Sequence, residues 1–488
     1  MLFNSIDFVI FFIAVLSVLS IIHSRKLQHL VLVGASLFFF YYSSNYLIVL
    51  LLFSIVLDFY AAKLIFHAKN NFRKKCFLIL SLSGNLGMLG FFKYVNFTID
   101  QINYFGTQIG ITDLDFLELA LPIGISFYTF QTLSYTIDVY RGKLTPSNSL
   151  REFALFVSFF PQLVAGPILR ASEFLPQLRE KLQTSGGKLR QISFQSTDVK
   201  FGITLMALGF FKKIFFADNI APLANQVFQS PIGESSLTIW LGTIAFGIQI
   251  YCDFSGYSDI AIGAARILGF RIPINFNKPY FASSPSDFWR RWHISLSSWL
   301  RDYLYIPIGG SKKSDQRTYL NLFTVMFLGG LWHGSSWNFV IWGVLHGAYL
   351  ACHKMLTTQF PSLRKNFFFK TKIGKVFSIL AVQYLVFLAW IPFRVRDTEQ
   401  MLYSMQKYVL FDFDFSSTID LVLSNHKITG LFIILFIIFH FVSYKNPNFS
   451  EKISNSKPII WIIFLTSIML GIFFFYVGYD QNFIYFQF

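Results

Sequence analysis

The chain has 488 residues, of which 54% are hydrophobic, 19% aromatic and 14% charged. Soluble domains carry about 25% charged residues, so this composition excludes an ordinary water-soluble globule, and apolar runs long enough to span a bilayer recur from end to end. The net charge of +16 is gathered in short loops between those runs. That distribution follows the positive-inside rule and argues against a nucleic-acid partner. The expected class is an all-α polytopic membrane protein.

Residues 1–22 lack a basic leader and a small-residue cleavage site, so they read as a first span and not as a signal peptide. Spans are expected near 5–22, 28–43 and 46–66. The loop HAKNNFRKK (67–75), with Lys69, Arg73, Lys74 and Lys75, marks the cytoplasmic side and puts the N-terminus outside. A span near 76–92 leads to an acidic external loop carrying Asp100, Asp113, Asp115 and Glu118. LPIGISFYTFQTLSYTIDVY (121–140) returns inward, to Arg141, Lys143 and Arg151. The stretch 152–170 is broken by Pro161, Gly166 and Pro167 and flanked by basic loops. It reads as a re-entrant segment, tolerated only where protein buries it or it lines a cavity. The loop 171–200 is polar, basic and cytoplasmic in this reading.

Spans near 201–217 and 238–263 run out and back. SSPSDFW (283–289) predicts a helix start, with Ser284 as cap, Pro285 in the first turn and Asp287 three residues after the cap. On the helix expected beyond it, Arg290, His293, Ser297 and Arg301 share one polar stripe, and Trp289, Trp292 and Trp299 mark an apolar one. Two apolar stretches, 319–331 and 337–352, joined by WHGSS, predict a hairpin with His333 near its turn. Spans near 376–393, 428–444 and 458–478 complete the bundle, and the basic segment 443–457 leaves the tail outside. No internal repeat is visible. The expected organisation is one membrane domain, 1–478, with core motifs in 121–347 and an external tail, 479–488.

Two histidines stand out chemically. His333 lies in GGLWHGSSW, and imidazole is the side chain whose ordinary pKa suits proton transfer near neutrality. An ionisable group among apolar helices is a functional-site hypothesis because its burial is costly; the other reading is a histidine bonding between helices. His293, in FWRRWHISLSSWLRDYLYIPIGG, either orients a substrate or anchors its own helix. Arg290, Arg291 and Arg301 face either the phosphates of a cytoplasmic substrate or lipid headgroups. Asp253 and Asp259, with Lys212 and Lys213, read either as internal pairs or as the coupling groups of a secondary transporter. His293, His333 and His346 lack metal-ligand spacing, and Cys76, Cys252 and Cys352 form no framework, so neither a metal site nor a disulfide scaffold is expected.

The stretches LPIGISFYTFQTLSYTIDVYRG (121–142), FFPQLVAGPI (159–168), FKKIFFADN (211–219), QIYCDFSGYSDIAIG (249–263), GFRIPINFNKPY (269–280), FWRRWHISLSSWLRDYLYIPIGG (288–310) and LGGLWHGSSWNFVIWGVLHG (328–347) together resemble the membrane-bound O-acyltransferase (MBOAT) superfamily. The likeness is to its alginate and peptidoglycan O-acetyltransferase branch. It implies a ring of about 11 transmembrane helices with re-entrant segments around a thin centre, between cytoplasmic and external funnels. It further implies His333 as catalytic base, with His293 as the second histidine of the motif. Acetyl-CoA would be the donor, with Arg290, Arg291, Arg301 and Trp332 as candidates to bind it. The acceptor would be an envelope or secreted polysaccharide, reached through a periplasmic or extracellular hydrolase-like acetyltransferase, and the location a bacterial inner membrane. Acylation of a protein or lipid, or transfer of D-alanine, are the alternatives within the superfamily.

The last residues, FIYFQF (483–488), resemble the tail of the small acyl-carrying partner in lipoteichoic acid D-alanylation. That likeness implies an acetyl relay on Tyr485, whose phenol is a good leaving group. The other reading of this segment is an aromatic interface belt.

Overall fold

The computed structural model describes residues 1, 3–110, 113–120, 122–163, 166–183, 196–360, 369, 371–478, 483 and 484. Every regular element among the described residues is helical, as the composition predicts. Among the described residues, six stretches are long and apolar enough to cross a membrane: Arg25–His67, Asn71–Thr107, Ser236–Ile267, Trp337–Gln359, Lys372–Arg394 and Lys427–Lys445. Their outward faces are apolar. Ile437 is 57% exposed, and Phe473, on the shorter helix Pro458–Phe474, is 76% exposed. Such faces are unfavourable in water and ordinary against lipid, where only backbone bonded within the helix is tolerated.

The chain divides into two compact units, one comprising Met1–Ile203 and Ile260–Pro273, the other Thr204–Asp259 and Ile274–Phe488. In the first, helices Ile48–His67, Asn71–Thr107 and Ile125–Tyr140 meet on the carboxylate of Asp58, which is fully buried. It accepts hydrogen bonds from the Ser81 hydroxyl, from Asn85 Nδ2 at 2.8 Å and from Thr136 Oγ1 at 2.8 Å. A buried carboxylate is tolerable only when donors replace its water, so these partners tie three helices to one point. The segment 152–170 is interrupted, as its prolines and glycine predict, into helices Leu150–Ser158 and Phe160–Leu163. Side chains satisfy the broken backbone: the Gln131 amide donates to the Phe156 carbonyl, as does Gln162 Nε2 at 3.3 Å, and Gln162 Nε2 also donates to Gln131 Oε1 at 2.7 Å.

In the second unit the expected hairpin is present as helices Asp315–His333 and Trp337–Gln359. Glycines let the two backbones touch. A Cβ on Gly330 would collide with the Phe339 carbonyl oxygen and lie 3.0 Å from the Cα of Gly343. Small residues at such crossings are how apolar helices gain van der Waals contact when lipid removes the hydrophobic drive.

The polar-striped helix beyond SSPSDFW is not continuous. Ser284 Oγ does cap it, accepting from Asp287 N at 3.1 Å, but the helix spans only Pro285–Trp289, and a second runs Ile294–Leu300. Between them His293 takes a left-handed backbone, φ +43°. The cause is a crossing strand of chain at 275–277. Asn277 N donates to the Arg291 carbonyl, Ile294 N donates to the Asn275 carbonyl, both at 2.9 Å, and Ser295 N donates to Asn275 Oδ1 at 3.2 Å. Backbone groups that a continuous helix would pair internally are captured from outside, so Arg290 and His293 do not share one stripe.

Candidate active site

His333 is the last residue of helix Asp315–His333, and the chain leaves it through Gly334 in an extended conformation. Its ring is buried within an aromatic wall: Trp332 at 5.0 Å, Trp342 at 4.8 Å and Phe393 at 5.2 Å between centroids, each close to edge-on. Trp342 also meets His346 at 4.7 Å, and Trp289 packs on that histidine at 5.2 Å. Trp332 also lies 6.3 Å from the ring of His293. One indole therefore neighbours both histidines singled out from the sequence.

His293 is fully buried and packs edge-on against Phe254 at 4.7 Å. Its Nδ1 is 3.2 Å from Asn275 Oδ1. The same oxygen accepts from the main-chain N–H of Ser295 and, at 2.9 Å, from its hydroxyl. A main-chain N–H can only donate, so the atom facing Nδ1 is an acceptor. Nδ1 of His293 must then carry the proton, and in the neutral ring Nε2 holds the lone pair. Holding a non-glycine residue at positive φ costs about 1–3 kcal/mol, and the Asn275 bonds offset that cost.

A cavity of about 380 Å³ lies beside this constellation, lined by Ser286, Arg290, Ser297, Ser298, Arg301 and Tyr305 on one side and by Leu322, Val325 and Met326 of the His333 helix on the other. Guanidinium groups among hydroxyls suit anionic oxygens, which arginine binds through paired N–H donors; Arg301 already gives two of its donors to Asp302, at 2.7 and 3.1 Å, and keeps the rest. The cavity gathers Arg290 and Arg301 but not Arg291 or Trp332. Arg291 is engaged elsewhere, by Asp287 at 3.0 Å and the Asn277 carbonyl at 3.3 Å. Neither histidine lines the cavity wall.

The four charged groups in the apolar spans pair internally. A π-helical turn, Phe211–Ala217, carries Lys212 to Asp259 at 2.6 Å, and Lys213 to Asp218 at 2.8 Å and Asp253 at 3.0 Å. Pairing removes much of the penalty of burying such groups, and it accounts for all four without a transport path. Tyr485 and most of the tail 479–488 lie outside the described residues; Phe483 and Ile484 are described and buried. Asn275, Trp342, His346 and Phe393 join the site without having been singled out as functional from sequence. Asn275 sits in GFRIPINFNKPY, where no charge or periodicity distinguishes it, and only the folded crossing shows its role.

A buried histidine pair in a polytopic helical scaffold, beside an arginine-lined cavity, defines the class, and the chain belongs to the membrane-bound O-acyltransferase family. The model of that family, MBOAT, matches residues 143–391, which include both histidines. Among curated proteins the chain is similar to the probable alginate O-acetylase AlgI of Azotobacter vinelandii, 42% identical over 66% of this chain and 60% of the relative. It is also similar to the peptidoglycan O-acetyltransferase of Helicobacter pylori, 35% identical over 76% of this chain and 72% of the relative. The teichoic acid D-alanyltransferase of Streptococcus thermophilus is more distant, 30% identical over 50% of this chain and 59% of the relative. The matches span about three fifths of the alginate relatives' own length.

Proposed function

We propose that this protein is an O-acetyltransferase that takes acetyl from cytoplasmic acetyl-CoA and delivers it across the membrane to a cell-envelope or secreted polysaccharide of the alginate or peptidoglycan kind. The observation that carries the reading is the placement of His333 and His293 next to one indole, Trp332, on elements that also line the Arg290–Arg301 cavity. The arginines supply counter-charge for the phosphates of a CoA thioester. Relatives named for acetylation of two different glycans support the acetyl group and the polysaccharide class.

In this mechanism His333 takes the proton of an acceptor hydroxyl as its oxygen attacks the thioester carbonyl. The tetrahedral intermediate collapses with cleavage of the carbon–sulfur bond, and the thiolate recovers the proton from His333 as CoA leaves. His293, fixed with its lone pair on Nε2, acts as an orienting acceptor. The first acceptor in this reading is Tyr485 of the tail, which then hands acetyl to a sugar hydroxyl, its phenolate leaving and taking up the proton that the sugar loses. A hydrolase-like acetyltransferase outside the membrane completes delivery. Both termini face outward in the bacterial inner membrane, and 1–478 acts as one membrane domain.

The test is release of CoA thiol from acetyl-CoA by purified protein, wild type beside His333→Ala, with mass spectrometry of the C-terminal peptide. A base-labile acetyl on Tyr485 in the wild type alone is expected. Thiol release that survives in folded His333→Ala would remove His333 from the chemistry.

A further inference from the structure

Phe483 and Ile484 lie inside the second unit, 0% and 2% exposed. The main-chain N–H of Ile484 donates to Asp253 Oδ2 at 2.8 Å in a buried bond. The other oxygen of that carboxylate meets Lys213 Nζ at 3.0 Å, and Lys213 is held in turn by Asp218. The ring of Phe483 lies 4.2 Å from that of Tyr257 and 5.8 Å from that of Phe254. Asp253 and Tyr257 stand one turn apart on helix Ser236–Ile267, so the carboxylate and the ring face the same way. Phe254 is the residue that packs edge-on against His293.

A carboxylate buried in apolar helices needs a donor for each oxygen. Lys213 serves Oδ1 from within the bundle. Oδ2 takes its donor from the C-terminal segment, and that donor is a main-chain N–H, the group a peptide presents whatever its side chains. The ring slot beside it selects an aromatic residue one position earlier. We propose that Asp253, Tyr257 and Phe254 form a peptide seat whose occupant is the Phe483–Ile484 segment of this chain, docked one ring away from His293. Asp253 is a positioning residue in this arrangement: it holds the main chain at Ile484. The seat acts through docking alone and stands whether or not Tyr485 carries an acyl group.

Hydrogen–deuterium exchange of the full-length protein in detergent, read by mass spectrometry on the C-terminal peptide, tests this. A synthetic peptide of residues 479–488 gives the unprotected rate. The Ile484 amide of the wild type is expected to exchange at least about tenfold more slowly than in the free peptide, because exchange requires the buried bond to open. Asp253→Ala and Phe483→Ala are each expected to return it to within about threefold of the free rate. If Asp253→Ala does not fold, Phe483→Ala decides alone, since it leaves the Lys213 ion pairs in place. A wild-type amide exchanging at the free rate overturns the seat, as does protection that persists unchanged in folded Phe483→Ala. No acetyl donor is present in the experiment, so failure of the tail relay, read from Tyr485 acetylation, is a separate result.

Discussion

Replacing Asn275 by alanine is the sharpest perturbation of the histidine pair that leaves both rings in place. Its Oδ1 accepts from His293 Nδ1, from Ser295 N and from Ser295 Oγ, at 3.2, 3.2 and 2.9 Å, in a fully buried setting. A buried donor left without its acceptor costs about 1–3 kcal/mol. Part of the cost is relieved because Ser295 Oγ can rotate, so a sum of about 3 kcal/mol is expected for this site. Thermal unfolding of the purified protein in detergent would show the loss as a lower midpoint.

The same change frees His293 to exchange tautomers and to turn. Loss of an orienting partner costs a metal-ligating histidine about 10–100-fold in activity; if His293 orients the substrate, a fall of about tenfold is expected, and CoA release from acetyl-CoA would report it. Asn275→Asp separates the two effects. It keeps the acceptor and restores much of the midpoint, but its charge favours imidazolium, so the acidic limb of the rate–pH profile moves to higher pH. A protein carrying Asn275→Ala that matches the wild type in both midpoint and rate would refute this account of His293.

Arg290→Ala together with Arg301→Ala is expected to raise KM for acetyl-CoA by about tenfold or more with kcat little changed, and added salt should shrink the difference; steady-state thiol release measures it. Gly330→Ala places a methyl group against the Phe339 carbonyl, where the facing backbone at Gly343 cannot withdraw. A loss of about 1–3 kcal/mol is expected in thermal unfolding, whereas Gly87→Ala, with open space around its Cβ, should be silent. Asp58→Ala strands the donors of Ser81, Asn85 and Thr136 at a three-helix junction. It is expected to cost about 2–4 kcal/mol, and Asp58→Asn, which keeps an acceptor, should cost less by the same assay.

Much of the architecture was legible in the linear chain because lipid imposes a simple rule: backbone groups must pair within their own segment, so apolar length alone marks a helix. The hairpin around WHGSS, the broken stretch at Pro161 and Gly166 and the cap at Ser284 were all readable for that reason, since each rests on neighbours in sequence. His333 was legible too, as an ionisable residue where ionisable residues are costly. The continuous polar stripe from Arg290 to Arg301 failed because its helix is interrupted by residues 275–277, whose arrival no local pattern announces. The same segment fixes the tautomer of His293 and holds Arg291 through the Asn277 carbonyl, while a different helix, Ser236–Ile267, brings Asp259 to Lys212 and Asp253 to Lys213. Local sequence determines where helices begin, end and face lipid; which side chains meet at the histidine pair depends on contacts between segments far apart in the chain, and those exist only once the chain has folded.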